Sequence, residues 1–282
     1  MRCLVVAATV CGVLAVPAWA APAWAAPKRI VSLGSCLDTD IVQLADREQI
    51  AALSHYSGDP STTTIYEMAK GIPLSQESAE EVILFHPDLV LASRHSSLAT
   101  RNALARLNVH TELFSEPQTV EESIVQLRRV AKLIGHEDRG EAMARRIAEA
   151  LAEAAPPPGA RPLTAVIFQR NGFSTGAQSL VGEMLERTGY VNVATRYGLK
   201  SWGYLALEPL IADPPEALLA GGVVDGKPTW ADRVLHHPAL ASAGPRMKRI
   251  TFPDTLFNCG GPVLIQAAQV LAAGRRSITG EP

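Results

Sequence analysis

Short apolar runs alternate with segments of helical spacing along most of this chain, and this alternation constrains the fold more than any other feature. The run Ile30–Leu33 leads into a polar loop and then into a helical pattern that starts near Ile41. Segment 79–85 has apolar residues at helical spacing, Pro87 ends it, and "DLVLA" follows as a short buried strand. Strands that alternate with helices in this way predict α/β architecture, with mainly parallel sheets whose faces are covered by helices.

A long helical region divides the chain into two such halves. It begins at a capping box formed by Thr119 and Glu122, and Gly135 is a possible break. The stretch "PPPGARP" follows, and "LTAVIFQ" restarts the alternation of strands and helices. A chain of 282 residues is long enough for two lobes, which we expect to be joined by one long connecting helix. The predicted ranges are 28–117 for the N-terminal lobe, 118–158 for the connecting helix and 159–282 for the C-terminal lobe.

The first residues are typical of an export signal. "MRCLVVAATVCGVLAVPAWA" has an early arginine and an apolar stretch that ends in Ala-Trp-Ala, and a second Ala-Trp-Ala step follows at 23–25. Either step offers the small residues of a cleavage site, so residues 1–26 are predicted to be a cleaved signal peptide. Pro17 and Pro22 interrupt the apolar run, which argues against a membrane anchor.

Two cysteines, Cys36 and Cys259, remain once the signal peptide with Cys3 and Cys11 is removed. They could form one disulfide, contact a ligand or metal as free thiols, or lie apart as unrelated buried residues. A disulfide requires their Cα atoms to lie within about 7 Å. Because export leads to an oxidising compartment, we predict the bridge, which would tie the two lobes together.

Loops at the carboxyl ends of strands are the candidate site, because ligands of open α/β sheets bind there. Aromatic residues make up 5% of the chain, yet several fall in such loops, which predicts a large ligand with a flat or apolar surface. Cations in the same loops could neutralise acidic groups of that ligand. Alternatively, each aromatic packs against its own loop and each cation is solvated. The candidate ligand-binding residues are Tyr56, Arg94, His95, Arg170, Phe173, Trp202, Tyr204 and Phe257.

Several function classes are disfavoured by composition and motifs. The net charge of -2 shows no basic excess, so nucleic acid is not an expected partner. No nucleophile elbow, zincin motif, P-loop or dinucleotide fingerprint occurs, so an enzyme is not expected. One catalytic alternative is an exported hydrolase with Cys36 as nucleophile and a cleft histidine as base. A second alternative is a bare zinc or manganese ion held by His55 and His95, with Cys36, Cys259 or Asp38 as companions.

The order of these pieces resembles the periplasmic substrate-binding proteins of ABC importers for vitamin B12, ferric siderophores and haem. The resemblance covers about residues 29–273 and rests on "EEVILFHPDLVLA", on "LEPLIADPPEALL" in the second half and on the C-terminal "AAQVLA" helix. It implies a periplasmic protein that binds a metal chelate between two lobes and delivers it to an ABC importer permease in the inner membrane. No reaction, no cofactor beyond the metal of the ligand, and a monomer are expected. Whether the chelate is a ferric siderophore, a corrinoid or haem stays open.

The resemblance also implies roles for particular residues. In that family a surface glutamate on each lobe docks onto arginines of the permease, and the matching positions are Glu80 and Glu208, each seven residues before a proline. Both could instead be solvated acids in the first turn of a helix. The cobalamin binders of the family place aromatic side chains in the cleft, where Tyr56 and Trp202 match, and Arg94 matches a basic cleft residue.

Overall fold

The computed structural model describes residues 26–221, 235, 237–243 and 246–281. The predicted signal peptide therefore lies outside the described residues, apart from Ala26. Within the described part of the chain, no helix is long and apolar enough to cross a membrane.

The N-terminal half is a five-stranded parallel sheet covered by helices. Its strands are β1 (Ile30–Leu33), β2 (Ile50–Ser54), β3 (Leu74–Ser75), β4 (Leu89–Ser93) and β5 (Thr111–Phe114). Its helices are α1 (Ser35–Leu44), α2 (Tyr66–Ala69), α3 (Ala79–Leu84) and α4 (Leu98–Arg106). The strand order is β3-β2-β1-β4-β5, and every neighbouring pair is parallel. All four residues of β1 are buried, as expected of a central strand covered on both faces.

The connection between the halves consists of two helices, α5 (Val120–Ile134) and α6 (Glu137–Ala154), where the sequence predicted one long helix. Gly135 ends α5 with a φ of 83°, a left-handed conformation that glycine adopts at little cost. The chain then turns, and α6 packs back against α5, with Arg128 of α5 paired to Glu141 of α6 at 2.8 Å. A Cβ added to Gly140 would lie 2.5 Å from the Cβ of Ala131, so the two helices approach closely where Gly140 has no side chain.

The C-terminal half repeats the parallel arrangement. Its main strands are β6 (Leu163–Phe168), β8 (Tyr190–Asn192), β10 (Ala217–Ala220) and β11 (Lys248–Thr251), and a small antiparallel pair is formed by β7 (Phe173–Ser174) and β9 (Gly203–Tyr204). The helices are α7 (Leu180–Arg187), α8 (Leu207–Ala212), α9 (Pro238–Ala243) and α10 (Val263–Thr279). The main sheet has the order β11-β10-β6-β8.

Both sheets have the same strand order around their first strand. The order is β2-β1-β4-β5 in the first half and β8-β6-β10-β11 in the second, with all these pairs parallel. The predicted α/β fold with two mainly parallel sheets is confirmed, and the two halves are built alike. In each half a short helix, α3 or α8, leads into an inner strand, β4 or β10.

One hydrophobic core runs through both halves. It includes Leu37 on α1, Leu127 on α5, Ile147 on α6 and Leu264 on α10, and all four side chains are buried. The first sheet and the second sheet also contribute to this cluster, through Leu91 and Ile167. The helices between the sheets therefore join the two halves through buried apolar surface.

Candidate functional site

The carboxyl ends of the parallel strands in both halves open onto one cleft. Two adjoining cavities of about 300 and 390 Å³ share Cys36, His95, Glu116 and Pro117. The first extends over the N-terminal half to Tyr56, and the second extends to aromatic residues of the C-terminal half. Because they share four residues, we treat the two cavities as parts of a single cleft between the halves, of the size that small-molecule sites usually have.

A third cavity is larger but has a different character. It measures about 660 Å³ and lies at the turn between α5 and α6, where Arg129, Lys132, Glu137 and Asp138 line it. No aromatic side chain is among its described lining residues, and none of those residues lines the cleft at the strand ends where α/β proteins bind ligands. The cleft is therefore the better candidate site.

Three aromatic side chains of the C-terminal half, Phe173, Trp202 and Phe257, line one wall of the cleft, and Tyr204 joins them as the fourth member of an aromatic cluster. Pairing of β7 with β9 sets Phe173 opposite Tyr204, with ring centroids 5.4 Å apart. Trp202 stacks on Phe173 at 5.8 Å and meets the edge of Phe257 at 5.1 Å. Phe257 is buried, whereas Trp202 is 40% and Tyr204 71% exposed. The cluster thus has a packed base and an open aromatic surface toward solvent, which is unusual for side chains of this size unless something binds there.

The opposite wall carries polar groups held by the ends of β4 and β5. Ser93 Oγ donates to Glu116 Oε1 at 2.8 Å, and the His95 backbone N–H donates to Ser93 Oγ at 3.0 Å. His95 Nε2 lies 2.8 Å from Glu116 Oε2, and the His95 side chain is 81% exposed. Glu116 therefore holds His95 at the mouth of both cavities. The sequence prediction included His95 but missed Glu116, although Glu116 follows a predicted strand in the same way.

A second acid, Glu77, lines the N-terminal part of the cleft. Its backbone has a φ of 66°, which non-glycine residues rarely adopt, and its N–H and C=O are bonded to Ser75 Oγ and Thr100 Oγ1. Burial raises the pKa of Glu77, and the nearby His55 opposes that shift. Its Oε1 is shielded from solvent and has no hydrogen-bond partner among the described residues. Sequence reasoning missed this residue as well.

Tyr56 shares this wall and is 43% exposed. Its ring lies 4.0 Å from that of His55, with the planes tilted by 34°. Tyr56 and Trp202 thus come from different halves and line different parts of the same cleft.

The two arginines predicted to bind ligand do not line these two cavities, but the cavity that Arg94 lines shares five lining residues with the first of them, Glu116 among them. Arg94 is exposed and lines a neighbouring cavity together with Glu121, Glu122 and Arg129. Arg170 Nε lies 3.2 Å from Asp254 Oδ2. Among the described residues that line the two cavities of the cleft, no arginine or lysine is found.

Cys36 and Cys259 form a disulfide in the structure, with their Cα atoms 5.1 Å apart. The bridge joins the start of α1 to the loop before α10, and so it crosses between the halves at the cleft. Beside it, the Gly261 N–H donates to Ser123 Oγ of α5 at 2.6 Å. Both sulfurs are bonded, so in this state neither can act as a nucleophile or hold a metal ion.

The other groups considered for a bare metal ion do not converge. Asp38 is fully buried, and it accepts hydrogen bonds from Ser54 Oγ at 2.5 Å and Ser57 Oγ at 2.7 Å. Burial outweighs these bonds and raises the pKa of Asp38 to about 6. Within the described part of the chain, no group of three or more His, Cys, Asp or Glu side chains is placed to hold a metal ion.

Asp40 is buried at the junction of the two halves. It is 3% exposed, and its Oδ1 has no hydrogen-bond partner among the described residues. A Cβ added to Gly261 would lie 2.2 Å from this oxygen, so α1 and the loop before α10 touch here. Burial raises the pKa of Asp40 to about 8.

Glu80 and Glu208 occupy equivalent positions in the two halves. Each is exposed and lies in the first turn of its helix, α3 or α8. Glu80 precedes Leu89, the first residue of β4, by nine positions, and Glu208 precedes Ala217, the first residue of β10, by the same number.

The sequence is similar to those of a known protein family and of curated proteins. The sequence model of the periplasmic binding protein family matches residues 30–245. A cobalamin-binding protein of Halobacterium salinarum is 22% identical over 203 residues, which are 70% of this chain and 55% of that protein. The chain thus spans about half the length of the curated relatives that it matches.

Solved structures share the fold at low identity. A periplasmic heme-binding protein from Roseiflexus sp. RS-1 in apo form has a TM-score of 0.70 at 22% identity, covering 89% of this chain and 98% of that one. A periplasmic binding protein from Veillonella parvula has a TM-score of 0.72 at 14% identity, with 91% and 93% covered. The periplasmic vitamin B12 binding protein of Vibrio cholerae has a TM-score of 0.66 at 13% identity, with 90% and 99% covered.

Proposed function

Since this chain belongs to the periplasmic binding protein family, we propose that it captures a metal chelate in the cleft and delivers it to an ABC importer in the inner membrane. The chelate would be a corrinoid, haem or a ferric siderophore. The observation that carries the proposal is the aromatic wall, in which Trp202 and Tyr204 present exposed rings on a base formed by Phe173 and Phe257. An exposed aromatic surface in a cleft of this size suits a large ligand with a flat apolar face.

Binding would use both halves. The ring of Trp202 would cover one face of the chelate, and Tyr56 and His95 would contact it from the N-terminal half. Tyr204, which is exposed beside Phe173, would extend this aromatic surface at the edge of the cleft. His95 is an exposed imidazole beside a carboxylate, which suits either a hydrogen bond to the ligand or coordination of its metal. No chemical step is proposed, and the bonded state of Cys36 and Cys259 supports binding rather than cysteine-based catalysis.

Export and docking belong to the same proposal. Residues 1–26 would direct the chain to the periplasm and be removed there. Glu80 and Glu208 would then contact the permease, and their equivalent, exposed positions at the starts of α3 and α8 support that role. An exposed carboxylate can steer a basic partner with little change in ligand affinity.

The test is a titration of the purified mature protein with cyanocobalamin, haemin and a panel of ferric siderophores, followed by absorption and tryptophan fluorescence. We expect saturable binding of at least one chelate. Trp202→Ala should weaken that binding about tenfold, the effect of losing roughly 1.4 kcal/mol of contact, and leave the circular dichroism spectrum unchanged. Tyr66→Ala, which truncates an aromatic residue that does not line the cleft, is the matched control.

Two results would refute the proposal. If no chelate binds and zinc or manganese binds tightly, the ligand is a bare ion and the aromatic cluster has only a packing role. If a chelate binds but Trp202→Ala and Tyr66→Ala have equal affinity, the ligand site lies outside the cleft.

A further inference from the structure

We propose that Glu116 is a positioning residue, which holds His95 by its Nε2–H and so leaves Nδ1 of the ring to meet the ligand. His95 then accepts a hydrogen bond from an N–H or O–H group of the chelate, and it does not coordinate the metal at the centre of a macrocycle. This inference rests on the proposed function and deepens it, because it chooses between the two roles that the His95 imidazole suits. It follows from the hydrogen bonds at the ends of β4 and β5, from the difference between the two ring nitrogens, and from where Glu116 lies in the cleft.

Hydrogen bonds join Ser93, His95 and Glu116 into a ring at the ends of β4 and β5. The His95 backbone N–H donates to Ser93 Oγ at 3.0 Å, and Ser93 Oγ donates in turn to Glu116 Oε1 at 2.8 Å. The other carboxylate oxygen, Oε2, lies 2.8 Å from Nε2 of the His95 imidazole. Ser93 O accepts from both the N–H and the hydroxyl of Ser96, at 3.1 and 2.6 Å, so the turn that carries His95 is itself fixed. Each oxygen of Glu116 thus has its own partner, and the serine hydroxyl orients the carboxylate toward the imidazole.

The carboxylate decides which ring nitrogen of His95 carries the proton. An ionised carboxylate only accepts hydrogen bonds, so Nε2, which lies 2.8 Å from Glu116 Oε2, must be the donor. In a neutral imidazole one nitrogen carries the proton and the other has a free lone pair. The lone pair of a neutral His95 is therefore on Nδ1. This nitrogen has no hydrogen-bond partner among the described residues, and the side chain is 81% exposed, so a ligand in the cleft can reach it.

The two ring nitrogens differ in what can approach them. Nε2 lies at the far end of the imidazole, whereas Nδ1 is bonded to the carbon that carries Cβ. A hydrogen-bond donor is small enough to reach Nδ1 beside Cβ. The metal of a macrocycle lies at the centre of a wide, rigid plane, and a bond from Nδ1 to that metal would press the plane against Cβ and the backbone. While Glu116 holds Nε2, His95 is therefore suited to accept a hydrogen bond and poorly suited to be an axial ligand.

Glu116 lies where it can act on any ligand that fills the cleft. It lines both cavities of the cleft and also the neighbouring cavity, to which Arg94 and Arg129 contribute. His95 lines the two cavities of the cleft. Because Trp202 and His95 line the same cavity of about 390 Å³, a chelate that stacks on the indole comes within reach of the imidazole. The orientation of His95 that Glu116 sets is therefore the one that the bound chelate meets.

The first experiment reads the state of His95 without any ligand. The disulfide-bonded mature protein is labelled with ¹⁵N in its histidines, ring correlations are recorded by NMR at pH 8, and His95→Ala assigns the His95 signals. We expect a proton on Nε2 that is protected from exchange with water, although the side chain is 81% exposed. Glu116→Ala should remove this protected signal, and Glu116→Gln should keep it, because the amide retains an acceptor oxygen. His86, which is exposed and does not line the cleft, is the internal control and should show no protected proton.

The second experiment tests the role in binding, with cyanocobalamin, haemin and a panel of ferric siderophores as probes. For a probe that binds, His95→Ala and Glu116→Ala should each weaken binding about fivefold, the effect of one lost hydrogen bond. The double variant should bind no more weakly than either single variant, because Glu116 acts through His95. Glu116→Gln should bind within about twofold of the wild type. Glu137→Gln, which removes an exposed acid outside the cleft, controls for net charge. The absorption spectrum of a bound macrocycle should be the same in the wild type and in His95→Ala.

The outcomes separate the inference from the function beneath it. A chelate that binds while His95 carries its proton on Nδ1, or shows no protected Nε2–H, overturns the inference and leaves the proposed function standing. Loss of the absorption bands of a metal–imidazole bond in His95→Ala would do the same, because His95 would then be an axial ligand. So would additive losses in the double variant, because Glu116 would then act independently of His95. Failure of every chelate to bind would refute the proposed function itself and, with it, the role of His95 in binding.

Discussion

Replacing Asp40 by Asn should flatten the pH dependence of the stability of this protein. Asp40 is 3% exposed, has no partner for Oδ1 among the described residues, and touches Gly261 at the junction of the halves. Burial of this carboxyl raises its pKa from 3.8 to about 8, so the folded protein holds the proton more tightly than the unfolded chain does. Asn has nearly the same shape and no proton to lose.

The magnitude follows from linkage between proton binding and folding. A carboxyl whose pKa is raised on folding contributes its full stability below about pH 4, loses it as the pH rises toward 8, and changes little above that. Each pH unit in this window is worth about 1.4 kcal/mol. Between pH 5 and 7.5 the free energy of unfolding should therefore fall by about 3 kcal/mol more in the wild type than in Asp40→Asn. Asp38 titrates in both proteins, and its contribution cancels.

The assay is guanidinium unfolding at several pH values from 5 to 8, with the difference in unfolding free energy plotted against pH. Asp138→Asn removes an exposed carboxyl at the start of α6 and is the control for the change in net charge. Equal slopes for the wild type and Asp40→Asn would show that Asp40 is ionised in the folded protein. The argument from burial would then be wrong.

Two further predictions concern the bridge and the docking acids. Replacing both Cys36 and Cys259 by Ser should lower the free energy of unfolding by about 5 kcal/mol, because the disulfide closes a loop of 223 residues and so restricts the unfolded chain. A loss below about 1 kcal/mol would contradict a cross-link between the halves. The double variant Glu80→Arg/Glu208→Arg should abolish uptake of the chelate into cells. The dissociation constant of the purified variant for the chelate should stay within about twofold of the wild-type value, since neither acid lines the cleft. Normal uptake by cells would refute the docking role.

Much of the fold could be predicted because buried strands leave a clear pattern. The runs that became β1, β4 and β6 are apolar and bounded by loop-forming residues, and parallel sheets follow from their alternation with helices. The prediction of a single connecting helix was wrong, and the reason is physical. Gly135 marked a possible break, but apolar periodicity continues on both sides of it, and periodicity alone does not distinguish a kink from a reversal of the chain.

The candidate site could be predicted only as separate loops. Phe173, Trp202 and Phe257 were recognised one by one, but their packing depends on the two-residue strands β7 and β9, which are too short to leave a pattern. Glu77 and Glu116 were missed because an acid in a loop is usually solvated. Glu77 differs from a solvated acid in its left-handed backbone, and Glu116 differs in its contacts with Ser93 and His95 at the end of β4. Both are properties of the folded chain.

The bridge between Cys36 and Cys259 also bears on how this chain is made. Synthesis proceeds from the N-terminus, so Cys36 emerges 223 residues before its partner and must wait as a thiol until nearly the whole chain exists. After residues 1–26, these are the only two cysteines in the sequence, and so a single intramolecular pairing is possible. If residues 1–26 are removed as proposed, forming the disulfide requires an oxidant but no disulfide isomerase, because no wrong pairing within the chain has to be corrected.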